Sequence, residues 1–448
     1  MRNQVQLIAY ADRLGGSLPA LGRLLDGPLA GLFGGVHVLP FFLPYDGADA
    51  GFDPVDHLTV DPRLGGWDDL RRLGATRDTV ADLIVNHVSD RSPPFTDVVE
   101  RGDRSPHAGM FLTYGRVFPS GAAEADLVRI VRPRPGLPFT TVALGGRQRL
   151  AWTTFTSAQI DLDVHHPAAR RYLSAVLRRL AGAGVAMVRL DAVGYAVKTP
   201  GTSCFLTPET YVFIEDVAGE ARRLGMQVLA EIHAHHRFAV DASAHVDRVY
   251  DFVLAPLILH ALCTGDGGPL RGWLGRRPAN TVTVLETHDG LGMIDAAPGR
   301  GVDGPLSGAQ IEALVDSIAR HSGGTSRAST VRGGGGGVYQ VSCTAYDAVG
   351  RDDRRYLLAR LLQLFAPGIP QVYYVGLLAG RNAPELVART GDAREINRRS
   401  YTEAEATEAL HQPVVRALAA LVRLRGTHQA FGGSFSTPDA PAGRLTMA

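Results

Sequence analysis

The chain has 448 residues, more than an ordinary single domain holds, which excludes a small binding module. Hydrophobic residues make up 45% of it and charged residues 20%, proportions typical of a folded globular protein rather than a disordered one. The formal net charge of +1 leaves no basic excess with which to hold nucleic acid or an anionic membrane.

Features of export and of membrane insertion are missing from the sequence. It has no run of 18 apolar residues, and its first residues, MRNQVQLIAYADRLGG, lack the long apolar segment of a signal peptide. The cysteines, Cys204, Cys263 and Cys343, are too few and too scattered for a disulfide framework. We therefore expect a cytoplasmic protein with no nucleic-acid or membrane partner.

Short runs rich in valine and isoleucine predict eight β-strands in chain order, at 5–10, 35–40, 81–87, 185–191, 227–233, 248–254, 281–288 and 369–375. Helical patterns separate several of them, at 18–32, 168–184 and 208–225. Near-continuous apolar strands that alternate with helices indicate a parallel sheet covered on both faces. Eight such units favour an α/β fold of the TIM (β/α)8 barrel type over a doubly wound sheet.

Two long intervals interrupt the alternation. Residues 88–166 are rich in Pro, Gly and Arg, and residues 291–351 contain SGGTSRASTVRGGGGG. Loops of this length inside a compact fold are functional or form small domains of their own. We expect inserted subdomains after the third and seventh strands, dividing the barrel into 1–87, 167–290 and 352–430. The glycine run 333–337 also fits a disordered linker, because glycine loses most backbone entropy on ordering.

Three acidic residues stand at predicted strand ends: Asp191 in VRLDAVGY, Glu231 in VLAEIH and Asp289 in LETHDG. In a barrel these ends converge on one mouth. A carboxylate pair there suits retaining glycoside chemistry, in which one attacks the anomeric carbon and the other protonates the leaving oxygen. A metal site is the alternative interpretation. Arginine and histidine rather than further carboxylates flank these positions, so we expect no metal.

Around these residues the chain resembles the α-amylase superfamily, glycoside hydrolase family 13. A longer set of strings is similar to its sucrose phosphorylase subfamily, from residue 1 to about residue 430: QLIAYADRLGG, HVLPFFLPYDGADAGFDPVDH, RPRPGLPF, GTSCFLTP, DRVYDF and PGIPQVYYVGLLAG. The strings are more specific for the subfamily than for the acceptor sugar, since its relatives phosphorolyse several α-glucosides.

The resemblance implies a role for each carboxylate: Asp191 as nucleophile, Glu231 as general acid and then base, and Asp289 as transition-state stabiliser. It also implies a set of residues that hold the glucosyl unit, with two phenylalanines as the apolar platform: Asp49, Phe52, His87, Phe155, Gln159, Arg189, His288 and Arg394. A hexose needs several convergent polar groups and an apolar face. The alternative for each histidine and arginine is a structural one, as a core histidine or a neutralising cation.

The resemblance further implies that Arg134, His233 and Tyr339 contact phosphate, and that Tyr195 and Gln340 face the acceptor. An arginine offers paired donors to phosphate oxygens. The alternative for Arg134 in RPRPG is a packing role between prolines.

The sequence departs from the subfamily at three places. Gly336 and Gly337 replace bulkier residues, including an aspartate that faces the fructosyl group. His235 and His236 stand where the family tends to have tyrosines. Residues 431–448, FGGSFSTPDAPAGRLTMA, stand where the family has a C-terminal β-domain, so we expect them to be a truncated remnant of it.

We expect a glucosyl phosphorylase that converts sucrose and phosphate to α-glucose 1-phosphate and fructose by double displacement. No cofactor is expected, and a homodimer is the partner arrangement that we leave open. The alternatives are a phosphorylase of sucrose 6'-phosphate, glucosylglycerol or glucosylglycerate, a hydrolase or transglucosidase, and a non-catalytic sugar-binding protein. The intact carboxylate set argues against the last of these.

Overall fold

Eight parallel strands form a closed barrel: Gln6–Ala9, Gly35–Val38, Asp78–Ile84, Met187–Asp191, Gln227–Ala230, Arg248–Asp251, Thr281–Thr283 and Ile369–Tyr373. Each strand pairs with the next along the chain, and the eighth closes on the first, with Gln371 opposite Gln6. The TIM barrel prediction is confirmed. Because both faces of each strand are covered, the strands read as apolar runs rather than as alternating patterns.

The structure is a computed structural model that describes residues 1–43, 49–299, 301–333, 337–441 and 443–448. Of the glycine run, Gly334, Gly335 and Gly336 lie outside the described residues.

The third strand differs from its prediction, which placed it at 81–87. It begins at Asp78 and ends at Ile84, and a separate strand, His87–Ser89, pairs antiparallel with Gln159–Asp161. The predicted end is wrong because Val85 and Asn86, just beyond the strand, are fully buried as well. Burial thus continues past the last ladder hydrogen bond, and hydrophobicity alone does not mark where the strand stops.

The helices cover the outside of the barrel and fill the insertions. In the described part of the chain the α-helices are Leu18–Asp26, Trp67–Gly74, Pro93–Arg101, Tyr114–Val117, Glu124–Arg129, Pro167–Gly182, Pro208–Arg223, His236–Ala242, Leu254–Thr264, Gly268–Leu274, Gly308–His321, Ala345–Ala348, Asp353–Phe365, Tyr374–Leu377, Pro384–Thr390, Glu403–Ala409 and Pro413–Thr427. The first ends six residues before its predicted limit of 32, because Gly27 and Pro28 follow it and proline cannot continue a helix.

The two long intervals have secondary structure of their own. Between 88 and 166 an antiparallel hairpin, Phe139–Leu144 with Arg147–Trp152, packs on a small separate apolar cluster that includes Trp152. Between 291 and 351 lies the helix Gly308–His321, begun by a capping box of Ser307 and Gln310. Three short antiparallel strands accompany it, Leu291–Gly292, Thr330–Arg332 and Val338–Val341. This interval therefore holds more regular structure than its glycine content indicates.

In the described ranges, no helix combines the length and the apolar character needed to cross a membrane.

Candidate active site

A cavity of about 570 Å³ opens at the carboxyl ends of the barrel strands. Most of the predicted site residues line it together: Asp49, Phe52, His87, Arg134, Phe155, Asp191, Tyr195, Glu231, His233, His288, Asp289, Tyr339, Gln340 and Arg394. The other two, Gln159 and Arg189, are buried behind its wall and bond to residues that face it. The cavity thus brings together side chains that are up to 345 residues apart in sequence, such as those of Asp49 and Arg394.

Arg189 joins the two carboxylates at the floor of the cavity. One of its terminal nitrogens lies 3.0 Å from Asp191 Oδ1, and the other lies 2.6 Å from Glu231 Oε1. The guanidinium is itself buried, and it also pairs with Asp82, whose second oxygen lies 2.9 Å from His37 Nε2. A guanidinium spreads its donors over several acceptors in a fixed geometry, so it sets the positions of the two reacting groups.

The backbone fixes Glu231 as well. Ala192, directly after Asp191, has a positive φ of 52°, and its N–H donates to Glu231 Oε2 at 3.0 Å. A left-handed alanine costs free energy, and such positions persist where the surrounding structure holds them. Here the turn aims one backbone donor at the second carboxylate.

The neighbours of Asp191 change how readily its carboxyl releases a proton. Burial first, and then the neighbouring Glu231 carboxylate, raise the pKa of the Asp191 carboxyl well above its ordinary value, while Arg189 opposes both. The Asp191 carboxyl therefore binds a proton more readily than a solvent-exposed aspartate does.

Asp289 behaves in the opposite way. Burial acts to raise the pKa of its carboxyl, but His288, Arg394 and Arg398 together hold it far below the ordinary value. The nearest of these groups are His288 Nε2 and an Arg398 nitrogen, each 3.4 Å from a carboxylate oxygen. Asp289 is therefore negatively charged at ordinary pH.

Ligand atoms of Glu231, His233 and Asp289 lie within 4.8 Å of one another, a spacing that a metal ion can use. The surrounding charge favours a different occupant. Glu231 already pairs with Arg189, and Asp289 faces Arg394 and Arg398, so a cation would enter against three guanidinium groups. The same charge distribution suits a sugar ring that develops a positive charge at one carbon. It also suits an anion that binds after the sugar.

A polar cluster occupies one side of the cavity. Arg394 pairs with Asp49, and Gln159 donates to the other Asp49 oxygen at 3.0 Å. Burial acts to raise the pKa of Asp49, but Arg394, Arg398 and the Gln159 hydrogen bond lower it to about 2. His87 Nε2 lies 3.1 Å from the Gln159 amide and 2.8 Å from the Phe52 carbonyl oxygen. These contacts fix a set of hydrogen-bond donors and acceptors at the cavity wall.

Aromatic rings line the same region. Phe52 stacks on His288 with centroids 4.9 Å apart and planes 9° apart, and Phe155 lies edge-on to Tyr195 at 5.3 Å. Burial lowers the pKa of His288 to about 3, so the imidazole is neutral at ordinary pH. The apolar faces suit the C–H face of a sugar ring.

The opposite wall carries the residues predicted to meet phosphate and acceptor. His233 lies against Phe252, Tyr339 lies 6.2 Å from the His233 ring, and the exposed Arg134 stands at the rim. Gln340 donates to the Asp289 backbone carbonyl. The insertion after the seventh strand is thereby tied to the catalytic loop.

Several residues in and around the cavity were not identified from the sequence. Asp82 pairs with Arg189 and Arg398 pairs with Asp289, while Asp392 and Thr156 line the cavity and Asp295 lies beside His233. Asp82 stands in the predicted third strand, where a buried aspartate is itself a signal. Among the described residues, His235 and His236 do not line the cavity: His235 contacts the Asp303 carbonyl oxygen at 3.2 Å, and His236 packs edge-on to Trp273.

Comparison with known proteins gives the family. No protein-family model matches the chain. It is 53% identical over 451 residues to a sucrose phosphorylase of Agrobacterium vitis, covering 100% of this chain and 92% of that protein. It is 47% identical over 441 residues to a sucrose phosphorylase of Bifidobacterium adolescentis, covering 97% and 88%.

Solved structures agree with the sequence relatives. The sucrose 6F-phosphate phosphorylase from Thermoanaerobacter thermosaccharolyticum superposes with a TM-score of 0.92 at 36% identity, over 100% of this chain and 91% of that one. An α-amylase from H. orenii superposes at 0.70 and 14% identity over 100% and 87%, which shows the shared fold alone. The barrel, the cavity and these relatives place the chain in the sucrose phosphorylase subfamily of the α-amylase superfamily.

Proposed function

We propose that the protein is a sucrose phosphorylase, which transfers the glucosyl unit of sucrose to phosphate with net retention at the anomeric carbon. The arrangement that supports this most directly is the single guanidinium that holds Asp191 at 3.0 Å and Glu231 at 2.6 Å on the floor of the cavity. Two carboxyls held close together at one cavity are what a retaining double displacement requires.

In the first half-reaction Glu231, in its acid form, donates a proton to the glycosidic oxygen as the bond to fructose breaks. The Asp191 carboxylate attacks the anomeric carbon and forms a β-glucosyl ester. Asp289 stays ionised because the guanidinium groups of Arg394 and Arg398 face it, and it stabilises the positive charge that develops on the sugar ring. Phe52 and the neutral His288 cover the apolar face of the ring.

In the second half-reaction phosphate replaces fructose. Once Asp191 is an ester it carries no charge, so Arg189 holds Glu231 as the carboxylate that accepts the proton of the incoming phosphate. The phosphate oxygen attacks the anomeric carbon and Asp191 leaves as a carboxylate. Arg134, His233 and Tyr339 supply donors to the phosphate from the acceptor-side wall.

We also propose that the two insertions, 88–166 and 291–351, are the subdomains that build the walls of the cavity. The first contributes Arg134 and Phe155, and the second contributes Tyr339 and Gln340. The barrel itself contributes Asp191, whereas Glu231 and Asp289 follow its fifth and seventh strands. Changes of acceptor are then expected in the insertions rather than in the barrel.

The experiment that tests this function follows glucose 1-phosphate, fructose and free glucose during incubation with sucrose and phosphate. We expect glucose 1-phosphate and fructose in equal amounts. Arg134→Ala should raise the ratio of hydrolysis to phosphorolysis, because it removes a paired donor to phosphate. Arg147→Ala, an exposed arginine of the same insertion outside the cavity lining, is the matched control and should leave the ratio unchanged. Free glucose as the main product of the unaltered protein would contradict the proposal.

A further inference from the structure

Asp295 is a buried carboxylate beside the cavity to which the proposed reaction assigns no role. It is only 2% exposed and does not line the cavity. Its Oδ2 lies 3.4 Å from His233 Nδ1, and its Oδ1 accepts the Ala234 backbone N–H at 3.3 Å. One carboxylate therefore contacts both the ring of His233 and the backbone directly after it.

The other side of the His233 ring faces the site. Its Nε2 lies 3.8 Å from Glu231 Oε1, is buried, and has no hydrogen-bond partner among the described residues. The ring stacks on Phe252 with centroids 3.8 Å apart and planes 19° apart, so Phe252 covers one of its faces. A donor is thus fixed in the cavity wall with its outer nitrogen free for a ligand.

The space for the contact between His233 and Asp295 depends on a glycine. A Cβ at Gly292 would lie 2.8 Å from Asp295 Oδ2 and 3.4 Å from His233 Nδ1. Any larger residue at this position would push the carboxylate off the ring without changing the charge of either group.

We propose that Asp295 is a positioning residue for phosphate binding, which accepts the Nδ1–H of His233 so that the Nε2–H points at the phosphate. The inference rests on the proposed phosphorolysis. When Nδ1 carries a proton held by Asp295, Nε2 can donate only if the ring is an imidazolium, which is also the form that attracts an anion.

The charges around His233 favour that form. Burial acts to lower its pKa, but the hydrogen bond and charge of Asp295, together with Glu231 and Asp289, raise the pKa above the ordinary histidine value. The Tyr339 ring is the other titratable group near the imidazole. Without the Asp295 charge the pKa of His233 falls, and the imidazolium is lost at lower pH.

The test is Asp295→Asn, which keeps the size of the side chain and removes its charge. At neutral pH we expect the KM for phosphate to rise by about tenfold, the effect of losing one charge-assisted hydrogen bond. Hydrolysis of sucrose without phosphate should stay within about twofold, since that reaction needs no phosphate donor. The pH above which the phosphate KM climbs should move to a lower value relative to the unaltered protein.

Two further variants separate positioning from a general loss of packing. His233→Gln combined with Asp295→Asn should be no worse in phosphate KM than His233→Gln alone, because Asp295 acts through His233. Gly292→Ala should raise the phosphate KM while leaving both charges in place, and it carries the test if Asp295→Asn does not fold. Asp347→Asn, which removes a buried carboxylate bonded to Arg351 and Asn382, is the matched control.

The outcomes distinguish the two proposals. If the unaltered protein forms no glucose 1-phosphate, the proposed function fails. If it does form it, and both Asp295→Asn and Gly292→Ala leave the phosphate KM within twofold, only the role of Asp295 is overturned. Equal losses of phosphorolysis and hydrolysis in Asp295→Asn would also overturn it, because they indicate a structural effect on the whole site.

Discussion

At the scale of single residues, Arg189 links the carboxylates on the floor of the cavity. Its guanidinium is 2% exposed and contacts three carboxylates, those of Asp82, Asp191 and Glu231. We expect this one buried cation to fix the separation of Asp191 and Glu231, on which the proposed double displacement depends.

The first prediction concerns these carboxylates. Asp191→Ala should lower phosphorolysis by at least about a thousandfold, because covalent catalysis supplies several kcal/mol of barrier reduction. Glu231→Gln should accumulate a glucosyl ester when the leaving group needs little acid help, visible as a mass increase of the intact protein. Asp163→Ala, outside the cavity lining, is the control. Activity of Asp191→Ala within about tenfold of the unaltered protein would remove it as the nucleophile.

At the scale of secondary-structure elements, one lysine ties three of them together. Lys198 is the only lysine of the chain, and its side chain is 1% exposed. Its ammonium lies 2.6 Å from Asp161 Oδ2 and 2.7 Å from Asn86 Oδ1, and it also donates to the Tyr195 carbonyl oxygen. Asn86 lies just after the third barrel strand, Asp161 ends the strand Gln159–Asp161, and Tyr195 ends the short 3-10 helix Val193–Tyr195. The lysine therefore connects the barrel, the first insertion and the cavity wall.

The second prediction is that Lys198→Met lowers the free energy of unfolding by about 3–5 kcal/mol, because Asp161 is left buried without its cation. Denaturant unfolding measures the loss. Asp161→Asn added to Lys198→Met should restore part of it, since the uncompensated charge is then gone. Arg23→Met breaks an exposed ion pair with Glu403 and should change stability little, which makes it the control. A Lys198→Met protein as stable as the original would contradict the tether.

A third prediction concerns Gly337, which directly precedes the strand Val338–Val341. Gly337 is exposed, and a Cβ there would meet no atom within 4 Å, so a side chain fits without strain. Gly337→Asp should lower the KM for fructose in the synthetic direction, with glucose 1-phosphate as donor, by about tenfold. Gly182→Asp, at the end of the helix Pro167–Gly182, is a control with equal room for a side chain. An unchanged fructose KM in Gly337→Asp would mean that position 337 does not face the acceptor.

The sequence predicted the barrel because its strands are buried on both faces and read as apolar runs. Asp191, Glu231 and Asp289 were predicted because strand ends converge in a barrel. Most of the residues proposed to bind the sugar were identified from the resemblance to the sucrose phosphorylase subfamily. Asp82, Arg398 and Lys198 were missed because each contacts partners that are distant in the sequence. Asp82 and Arg189, for example, are 107 positions apart. A buried ion pair of this kind leaves no periodic pattern, and only the fold shows which charges meet.

For the whole molecule, buried histidines set how stability depends on pH. Burial lowers the pKa of His57 and of His288 to about 3, whereas an unfolded histidine titrates near about 6.5. Below about pH 6.5 these two histidines bind protons in the unfolded chain but not in the folded protein. The free energy of unfolding therefore falls as the pH falls towards 3. His233, whose pKa is raised, contributes with the opposite sign.

The fourth prediction is that the free energy of unfolding declines between pH 6.5 and pH 4, by about 1.4 kcal/mol per pH unit for each such histidine. His57→Gln, which can keep a hydrogen bond to Tyr172, should reduce that slope by the contribution of one histidine, about 1.4 kcal/mol per pH unit. Urea unfolding at four pH values measures the slope in both proteins. An equal slope would show that His57 is not one of the groups responsible.

The central claim, glucosyl transfer from sucrose to phosphate through an Asp191 ester, is tested most directly by the anomeric configuration of the product. Phosphorus and proton NMR of the reaction with sucrose and phosphate, recorded before equilibrium, should show α-glucose 1-phosphate, because two displacements at one carbon restore the original configuration. The β anomer, or free glucose with the phosphate unchanged, would contradict the account.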